Sequence, residues 1–195
     1  MNTIDLLVEQ CKKPKGLLGI IMLRIMNIAD VGLTNWALKQ INCDVSNVLD
    51  IGCGGGKTIN LLSKRYPKSK IYGIDYSEVA VNTAINKNKQ KVSNGSIIIS
   101  QASVSSMPFA NGFFNCITAI RTHYFWPDLE QDIKEVFRVL KNGGQLLVLS
   151  ELYKINYHMK QYNTNSSLSQ LLKDTGFKSV EIHTMNQCVC VVATK

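Results

Sequence analysis

The sequence lacks the features of several protein classes. Its six cysteines include no C-x-x-C pair and no spacing typical of a disulfide framework, so neither a disulfide scaffold nor a cysteine-based metal site is indicated. The most apolar run, residues 17–29, is too short to span a bilayer and carries Arg24 in its middle. It also follows acidic residues rather than a basic patch, unlike a signal peptide. We therefore predict a cytoplasmic protein with reduced thiols, no metal and no membrane span.

Acidic residues are also few. The chain has 14 Asp and Glu against 22 Lys and Arg, and a net charge of +8 would suit an anionic partner such as nucleic acid. The basic residues are scattered, however, and neither interleaved aromatics nor a known motif accompanies them. The sequence thus argues against nucleic acid as a partner without excluding it. A length of 195 residues with 45% hydrophobic composition and no internal repeat suits one globular domain, residues 1–195.

The order of predicted elements indicates the fold class. Helical periodicity covers the first 46 residues, in helices near 4–11, 17–28 and 33–41, with Thr34 as the N-cap of the third. From residue 47, short apolar runs alternate with helices. Strands are predicted at 47–51, 70–75, 96–100, 113–120 and 145–152, and helices at 57–66, 77–91 and 128–140. Buried strands separated by helices predict a doubly wound α/β domain with a parallel sheet.

The tail of the chain has a different pattern. A polar, loop-like stretch covers 156–165, and a helix is predicted at 167–177. Two strand-like runs follow, at 178–185 and 187–195. Because parallel neighbours need a long crossover and these two runs are separated by only a residue or two, we expect them to pair antiparallel.

The stretch "VLDIGCGGGKT", residues 48–58, contains a glycine loop that fits two familiar nucleotide motifs poorly. A P-loop requires G-x-x-x-x-G-K-S/T, and its first glycine falls at Ile51. A dinucleotide fingerprint requires G-x-G-x-x-G, and its third glycine falls at Lys57. The first mismatch argues against a nucleoside triphosphate, and the second weakens the NAD interpretation without excluding it.

A third interpretation rests on two acids near this loop. Asp50 precedes the glycines at the end of one strand, and Asp75 ends the next strand, where a carboxylate can accept hydrogen bonds from both ribose hydroxyls. Asp50 would face a cationic part of the ligand, and glycine N–H groups at a helix N-terminus would bind a carboxylate. S-adenosylmethionine, a zwitterion with a sulfonium and a ribose, satisfies all of these demands.

Residues 47 to about 152 resemble a class I S-adenosylmethionine-dependent methyltransferase. The resemblance is carried by "VLDIGCGGG", "YGIDYS", "SVSSMPFANGFFNCITA" and "EVFRVLKNGGQLLVLSE", and residues 166–195 are similar to the last helix and closing hairpin of that fold. It implies a Rossmann-like sheet of seven strands, mostly parallel with an antiparallel last strand and helices on both faces. It also implies S-adenosylmethionine as cofactor and S-adenosylhomocysteine as product.

The resemblance implies a set of cofactor contacts. The glycine loop would hold the amino-acid part, Asp75 the ribose and Tyr76 the adenine. Ser103 stands where the family often has an Asp, so a serine hydroxyl and the Val104 N–H would read the base edge. Asn115 and Asn142 replace a common Asp and a common Pro. The candidate cofactor residues are Asp50, Gly52, Cys53, Gly54, Gly56, Asp75, Tyr76, Ser103, Val104 and Ile120.

The methyl acceptor is expected beyond Ile120, where "RTHYFWPD" follows the fourth strand. His123 is the candidate base, with Tyr124 beside it, although a histidine satisfied within a loop fits equally well. We expect Trp126 to form part of an aromatic wall of the site or to pack in the core. For Arg121 the two alternatives are binding of an acidic group of the substrate and simple solvation.

The N-terminal helices, residues 1–46, are the predicted lid over a core of residues 47–195. Met26, Asp30 and Trp36 are its candidate cofactor or acceptor contacts, with core packing as the alternative for Met26 and Trp36. The expected function is methyl transfer to a small molecule at N, O, S or C. The alternatives are an RNA or protein methyltransferase and a non-catalytic subunit that binds S-adenosylmethionine.

Overall fold

The computed structural model describes residue 16 and residues 31–159 and 161–195. The predicted helices near 4–11 and 17–28 lie outside the described residues, as do the lid candidates Met26 and Asp30.

Seven strands form one sheet in the order β3-β2-β1-β4-β5-β7-β6. Strands β1 to β5 pair in parallel, and β7 pairs antiparallel with both β5 and β6. This confirms the predicted mostly parallel sheet and its antiparallel closing pair. The strands are β1 Asn47–Ile51, β2 Lys70–Asp75, β3 Ile97–Gln101, β4 Phe114–Ile120, β5 Leu140–Glu151, β6 Ser179–Met185 and β7 Cys188–Thr194.

Helices lie between the strands, as expected for a doubly wound fold. The described α-helices are α1 Val31–Leu38, α2 Lys57–Arg65, α3 Glu78–Lys87, α4 Lys89–Ser93, α5 Leu129–Val139, α6 Leu152–His158 and α7 Asn165–Thr175, and a 3₁₀ helix covers His123–Phe125. Among the described residues, no helix is long and apolar enough to cross a membrane.

The apolar strands form the core. In β1, Val48 and Leu49 are fully buried on opposite faces of the sheet, and each contributes to a separate hydrophobic cluster. This burial on both faces explains why the strand has no polar alternation. Because β1, β2 and β4 run parallel, their carboxyl ends at Ile51, Asp75 and Ile120 lie along the same edge of the sheet. Any site built from the loops after these strands therefore forms at that edge.

Three local predictions were wrong. The predicted helix 77–91 is two helices, because buried Asn88 interrupts it and donates from Nδ2 to the carbonyls of Gly56 and Ala84. The loop-like stretch 156–165 begins inside α6, which buries Ile155 against the core. Thr34 lies within α1, where it is buried, and is not an N-cap.

Candidate functional site

The glycine loop after β1 has a backbone that favours glycine. Gly52, Gly54 and Gly56 have φ angles of 67°, 50° and 75°, in the left-handed region that side chains disfavour. A Cβ added at Gly52 would lie 2.1 Å from the Thr122 side-chain oxygen. The loop after β1 therefore packs against the loop after β4 with no space for a side chain.

Asp75 ends β2 beside this loop. Its Oδ2 accepts a hydrogen bond from the Gly54 N–H at 2.9 Å, and its Oδ1 accepts one from the Ser77 N–H at 2.9 Å. Burial raises the pKa of the Asp75 carboxyl, and these N–H donors offset part of that rise. The carboxylate is thus fixed in orientation at the junction of β2 and the glycine loop.

Asp50 stands near the end of β1, as predicted, but is buried and does not line the cavity. It is 1% exposed and accepts a hydrogen bond from the Thr118 hydroxyl at 2.7 Å. Burial raises the pKa of its carboxyl from 3.8 to about 7. The side chain is buried and is not among the residues that line the cavity, so its contact with a cationic part of the ligand stays a prediction.

One cavity of about 580 Å³ lies at the carboxyl edge of the sheet. One part, here called the glycine-loop half, is formed by residues that follow β1, β2 and β3. The other part, here called the charged half, is formed by residues after β4 and β5. The lining of the glycine-loop half is Ile51, Gly52, Cys53, Gly54, Gly55, Lys57, Thr58, Ile74, Asp75, Tyr76, Ala102, Ser103 and Val104. The lining of the charged half includes Ile120, Arg121, Thr122, Tyr124, Phe125, Trp126, Pro127, Glu151, Lys154 and His158.

The charged half contains two cations around one carboxylate. Arg121 Nε lies 2.7 Å from Glu151 Oε1, and the Arg121 and Glu151 side chains are each 15% exposed. Lys154 Nζ lies 3.4 Å from the same oxygen. Glu151 ends β5, and Lys154 is on the first turn of α6, so the strand end and the helix position this cluster together.

Aromatic rings form the wall beside these charges. The rings of Tyr124 and His158 stack with centroids 5.3 Å apart and planes 8° apart. Phe125 packs edge-on against His158 at 4.9 Å. Trp126 also lines the cavity. A flat or apolar molecule would contact this wall over most of its surface.

Comparison with known proteins identifies the family. The model described as "Methyltransferase domain" matches residues 48–144. The chain is 25% identical over 179 residues to an uncharacterized methyltransferase of Bacillus subtilis, YdaC, and the match covers 88% of this chain and 96% of YdaC. The chain belongs to the S-adenosylmethionine-dependent methyltransferases. This confirms the family and the cofactor inferred from the glycine loop and its neighbouring acids.

Two further comparisons agree. A demethylmenaquinone methyltransferase of Bacteroides fragilis is 28% identical over 134 residues, which cover 67% of this chain and 55% of that protein. The crystal structure of an S-adenosylmethionine-dependent methyltransferase from Aquifex aeolicus superposes with a TM-score of 0.70 at 20% identity, covering 88% of this chain and 95% of that one. The latter shows the same fold.

The glycine-loop half of this methyltransferase fits its cofactor. Bare backbone at Gly52 and Gly54 allows close approach of a ligand, and the fixed Asp75 carboxylate is a hydrogen-bond acceptor for hydroxyl groups. Tyr76, Ser103 and Val104 line the same half, as the resemblance implies for the adenine contacts. The Ser103 hydroxyl also accepts a hydrogen bond from the Ser105 N–H at 3.2 Å.

Several candidate residues do not line the cavity. Asp50 is buried in β1, the Gly56 carbonyl accepts from Asn88 Nδ2 between α3 and α4, and Trp36 packs against the core beneath α1. Thr34 is the residue of α1 that reaches the cavity wall. The other described candidates all line the cavity, apart from His123.

His123 does not line the cavity, so in this structure it is not positioned to act as a base. Its side chain is 2% exposed, Nδ1 lies 3.0 Å from the Ser150 hydroxyl, and burial lowers its pKa to about 4. The 3₁₀ turn directs it toward β5 rather than into the cavity. His158, which lines the cavity, is the imidazole that sequence reasoning missed.

Glu151 and Lys154 were also missed. Glu151 falls at the end of the predicted strand 145–152, and Lys154 falls between that strand and the loop-like stretch that begins at residue 156. The usable signal was the spacing of residues 151, 154 and 158, which puts them on one side of a helix that begins at the carboxyl end of a strand.

Replacing Gly52 with alanine should damage both folding and cofactor binding. The added Cβ meets Thr122 and also requires an unfavourable φ of 67°. Gly95→Ala is the matched control, because Gly95 has φ +74° and nothing within 4 Å. We expect the control to cost about 1 kcal/mol, and Gly52→Ala to cost more and to weaken S-adenosylhomocysteine binding by at least about tenfold, measured by denaturation and calorimetry. Equal stabilities with normal binding in both variants would contradict this account of the loop.

Asp50→Asn should change the pH dependence of stability. Because its folded pKa is about 7 and its ordinary value 3.8, the folded chain keeps a proton that the unfolded chain has lost between these values. The wild-type free energy of unfolding should therefore fall, relative to Asp50→Asn, by roughly 2 to 3 kcal/mol from pH 5 to pH 8. Urea denaturation at the two pH values measures this. A constant difference between the two proteins would show that the carboxyl is not perturbed.

Proposed function

We propose that this methyltransferase transfers its methyl group to a small-molecule acceptor bound in the charged half of the cavity. The observation that supports this most strongly is the continuity of the two halves in a single cavity of about 580 Å³. This volume is within the range of small-molecule sites. The demethylmenaquinone methyltransferase relative also acts, by its name, on a small molecule, although it is only 28% identical.

The cofactor would occupy the glycine-loop half. We assign its amino-acid part to the backbone of residues 52–54, its ribose to Asp75 and its adenine to the surface formed by Tyr76, Ser103 and Val104. When bound, S-adenosylmethionine would supply an activated methyl group, to which an electron pair of the N, O, S or C nucleophile forms the new bond while the carbon–sulfur electron pair stays on sulfur, leaving S-adenosylhomocysteine. Cys53 would contact the cofactor as a neutral thiol, because burial raises its pKa well above the usual value.

The protein contributes mainly alignment and exclusion of water. Positioning two reactants can lower a barrier by roughly 7 to 11 kcal/mol. Ile120 and Thr122 lie where the two halves meet, so the acceptor atom would lie near them. A base is required only if the acceptor arrives protonated at the reacting atom, and in the charged half His158 and Tyr124 are titratable side chains that line the cavity.

The acceptor class can be tested with labelled cofactor. Purified protein is incubated with methyl-labelled S-adenosylmethionine and a cell extract separated into a small-molecule fraction and a macromolecular fraction. We expect label in the small-molecule fraction. Label found only in RNA or protein would contradict the proposal and favour the macromolecular alternative. Tight cofactor binding without transfer to either fraction would favour a non-catalytic binding subunit.

Asp75→Asn should weaken cofactor binding. The amide keeps the shape of the side chain but loses one acceptor oxygen, so it cannot accept from Gly54, Ser77 and a ribose together. We expect at least about a tenfold rise in the dissociation constant, equivalent to about 1.4 kcal/mol, by isothermal titration calorimetry with S-adenosylhomocysteine.

Asp128→Asn is the matched control for this change. Asp128 also accepts a backbone hydrogen bond, from the Gln131 N–H at 3.2 Å, but it caps α5 outside the cavity lining. Asn caps a helix about as well as Asp, so binding should be unchanged. Normal affinity in Asp75→Asn, or an equal loss in both variants, would show that the ribose assignment is wrong.

A further inference from the structure

We infer that Glu135 and Arg138 of α5 are positioning residues for the adenine of the cofactor, although neither side chain lines the cavity. Together they hold the peptide groups of Met107, and this fixes the turn that presents Ser103 and Val104 to the base. The inference rests on the proposed function, which assigns the adenine to that surface, and it names the residues that keep the surface in place.

The turn lies in residues 102–109, which follow β3. This strand is at an edge of the sheet. The Ala102 N–H donates to the Asp75 carbonyl at 3.1 Å, so the start of the segment is attached to the end of β2. Beyond this contact the chain reverses, and a bridge between Ser103 and Ser106 closes the turn. The surface assigned to adenine therefore lies on a turn after an edge strand.

The far end of the turn is held at Met107 through both of its peptide groups. The Met107 N–H donates to Glu135 Oε1 at 2.8 Å, and Arg138 Nη2 donates to the Met107 carbonyl at 3.1 Å. Arg138 Nη1 also donates to the Phe109 carbonyl at 2.8 Å. The Met107 side chain is buried in the same hydrophobic cluster as Val104. Because interiors are closely packed, a displacement of Met107 would be transmitted to Val104.

Glu135 and Arg138 fix each other in a paired geometry. Arg138 Nε lies 2.6 Å from Glu135 Oε2, and Arg138 Nη2 lies 2.8 Å from Glu135 Oε1. Such a bidentate pair sets the orientation of both side chains. They are three residues apart on α5, so they lie on one face of the helix. The hydrogen bonds from Arg138 lower the pKa of the Glu135 carboxyl, which therefore accepts from Met107 as a carboxylate at neutral pH.

Reading of the adenine edge depends on where this turn lies. The base presents an amino donor beside a ring-nitrogen acceptor, and the Ser103 hydroxyl and the Val104 N–H would pair with them. Hydrogen bonds weaken steeply as their angle is distorted, so a small displacement of the turn would impair recognition of the base. Glu135 and Arg138 would thus act on the cofactor through the turn and not by contact.

Discrimination between two bases tests the inference. The ligands are S-adenosylhomocysteine and S-inosylhomocysteine, whose base has a carbonyl in place of the amino group and a proton on the neighbouring ring nitrogen. Calorimetry gives the dissociation constant of each. We expect the wild type to bind the adenine ligand at least about tenfold more tightly, because the inosine ligand leaves donors and acceptors mispaired.

Variants of the pair should lose this discrimination. Glu135→Gln leaves one acceptor oxygen for both Met107 and Arg138, and Arg138→Lys keeps the charge but loses the planar set of donors. We expect the preference for adenine to fall below about threefold in each variant. A purely structural role would lower the folded fraction and so weaken both ligands equally, which would leave the ratio of their dissociation constants unchanged.

Two substitutions on other helices are the matched controls. Asp174→Asn removes the charge of an acceptor that binds Gln170 Nε2 at 2.7 Å on α7. Arg65→Lys removes a guanidinium that donates to the Tyr66 hydroxyl at 3.1 Å at the end of α2. Asp174 and Arg65 are exposed and lie outside the cavity lining. Both controls should keep the wild-type preference.

A measurement on the wild type decides the test if neither variant folds. In the absence of ligand, the Met107 amide should exchange with solvent at least about a hundredfold more slowly than in an unfolded chain, as measured by nuclear magnetic resonance. Exchange at the unfolded-chain rate, with protection only after S-adenosylhomocysteine binds, would show that the turn is not held in advance and would overturn the inference.

The binding results separate this inference from the proposals beneath it. A preference above about threefold in either folded variant, or an equal loss in the controls, would overturn the positioning role. A wild type that does not discriminate would instead contradict the assignment of adenine to Ser103 and Val104, on which that role depends. Failure of the wild type to bind S-adenosylhomocysteine would contradict the cofactor assignment itself.

Discussion

The contact between Gly52 and Thr122 is the constraint on which the site depends. Strands β1 and β4 are parallel neighbours, so the loops that follow them meet at the carboxyl edge of the sheet. A Cβ at Gly52 would lie 2.1 Å from the Thr122 oxygen, and this closeness requires both a glycine and its left-handed backbone. The same turn brings the Gly54 N–H to Asp75. The two halves of the cavity are therefore joined by a backbone arrangement rather than by a flexible side chain.

Charged side chains line both halves of the cavity. Lys57 and Asp75 line the glycine-loop half, and the charge of Asp75 contributes to the raised pKa of Asp50. In the charged half, Arg121 and Lys154 lie around Glu151. Under the proposed function, these fixed charges would help to orient the cofactor and the acceptor along the cavity before they react. Orientation of this kind is the main contribution that a methyl transfer needs from the protein.

The sequence predicted the sheet well, and most of the cofactor candidates line the glycine-loop half, because both depend on local patterns. Buried strands are visible in the sequence as apolar runs. The glycines and the strand-end acids are recognised by their spacing relative to these runs. The charged half was harder to predict. His123 and His158 have the same chemistry, and only the 3₁₀ turn beside Ser150 directs the first into the core. Periodicity also does not show that the Thr118 hydroxyl on β4 donates to the Asp50 carboxylate, which is buried outside the cavity lining.

The boundary of the family match explains why the family is clear while the acceptor is a proposal. Residues 48–144 include the glycine loop, Asp75 and the loop after β4, which together provide most of the cavity lining. They end before Glu151, Lys154 and His158. These side chains come from the end of β5 and from α6, a seven-residue helix. Under the proposed function, contacts to the acceptor would therefore come both from the matched region, through the loop after β4, and from this short segment beyond it.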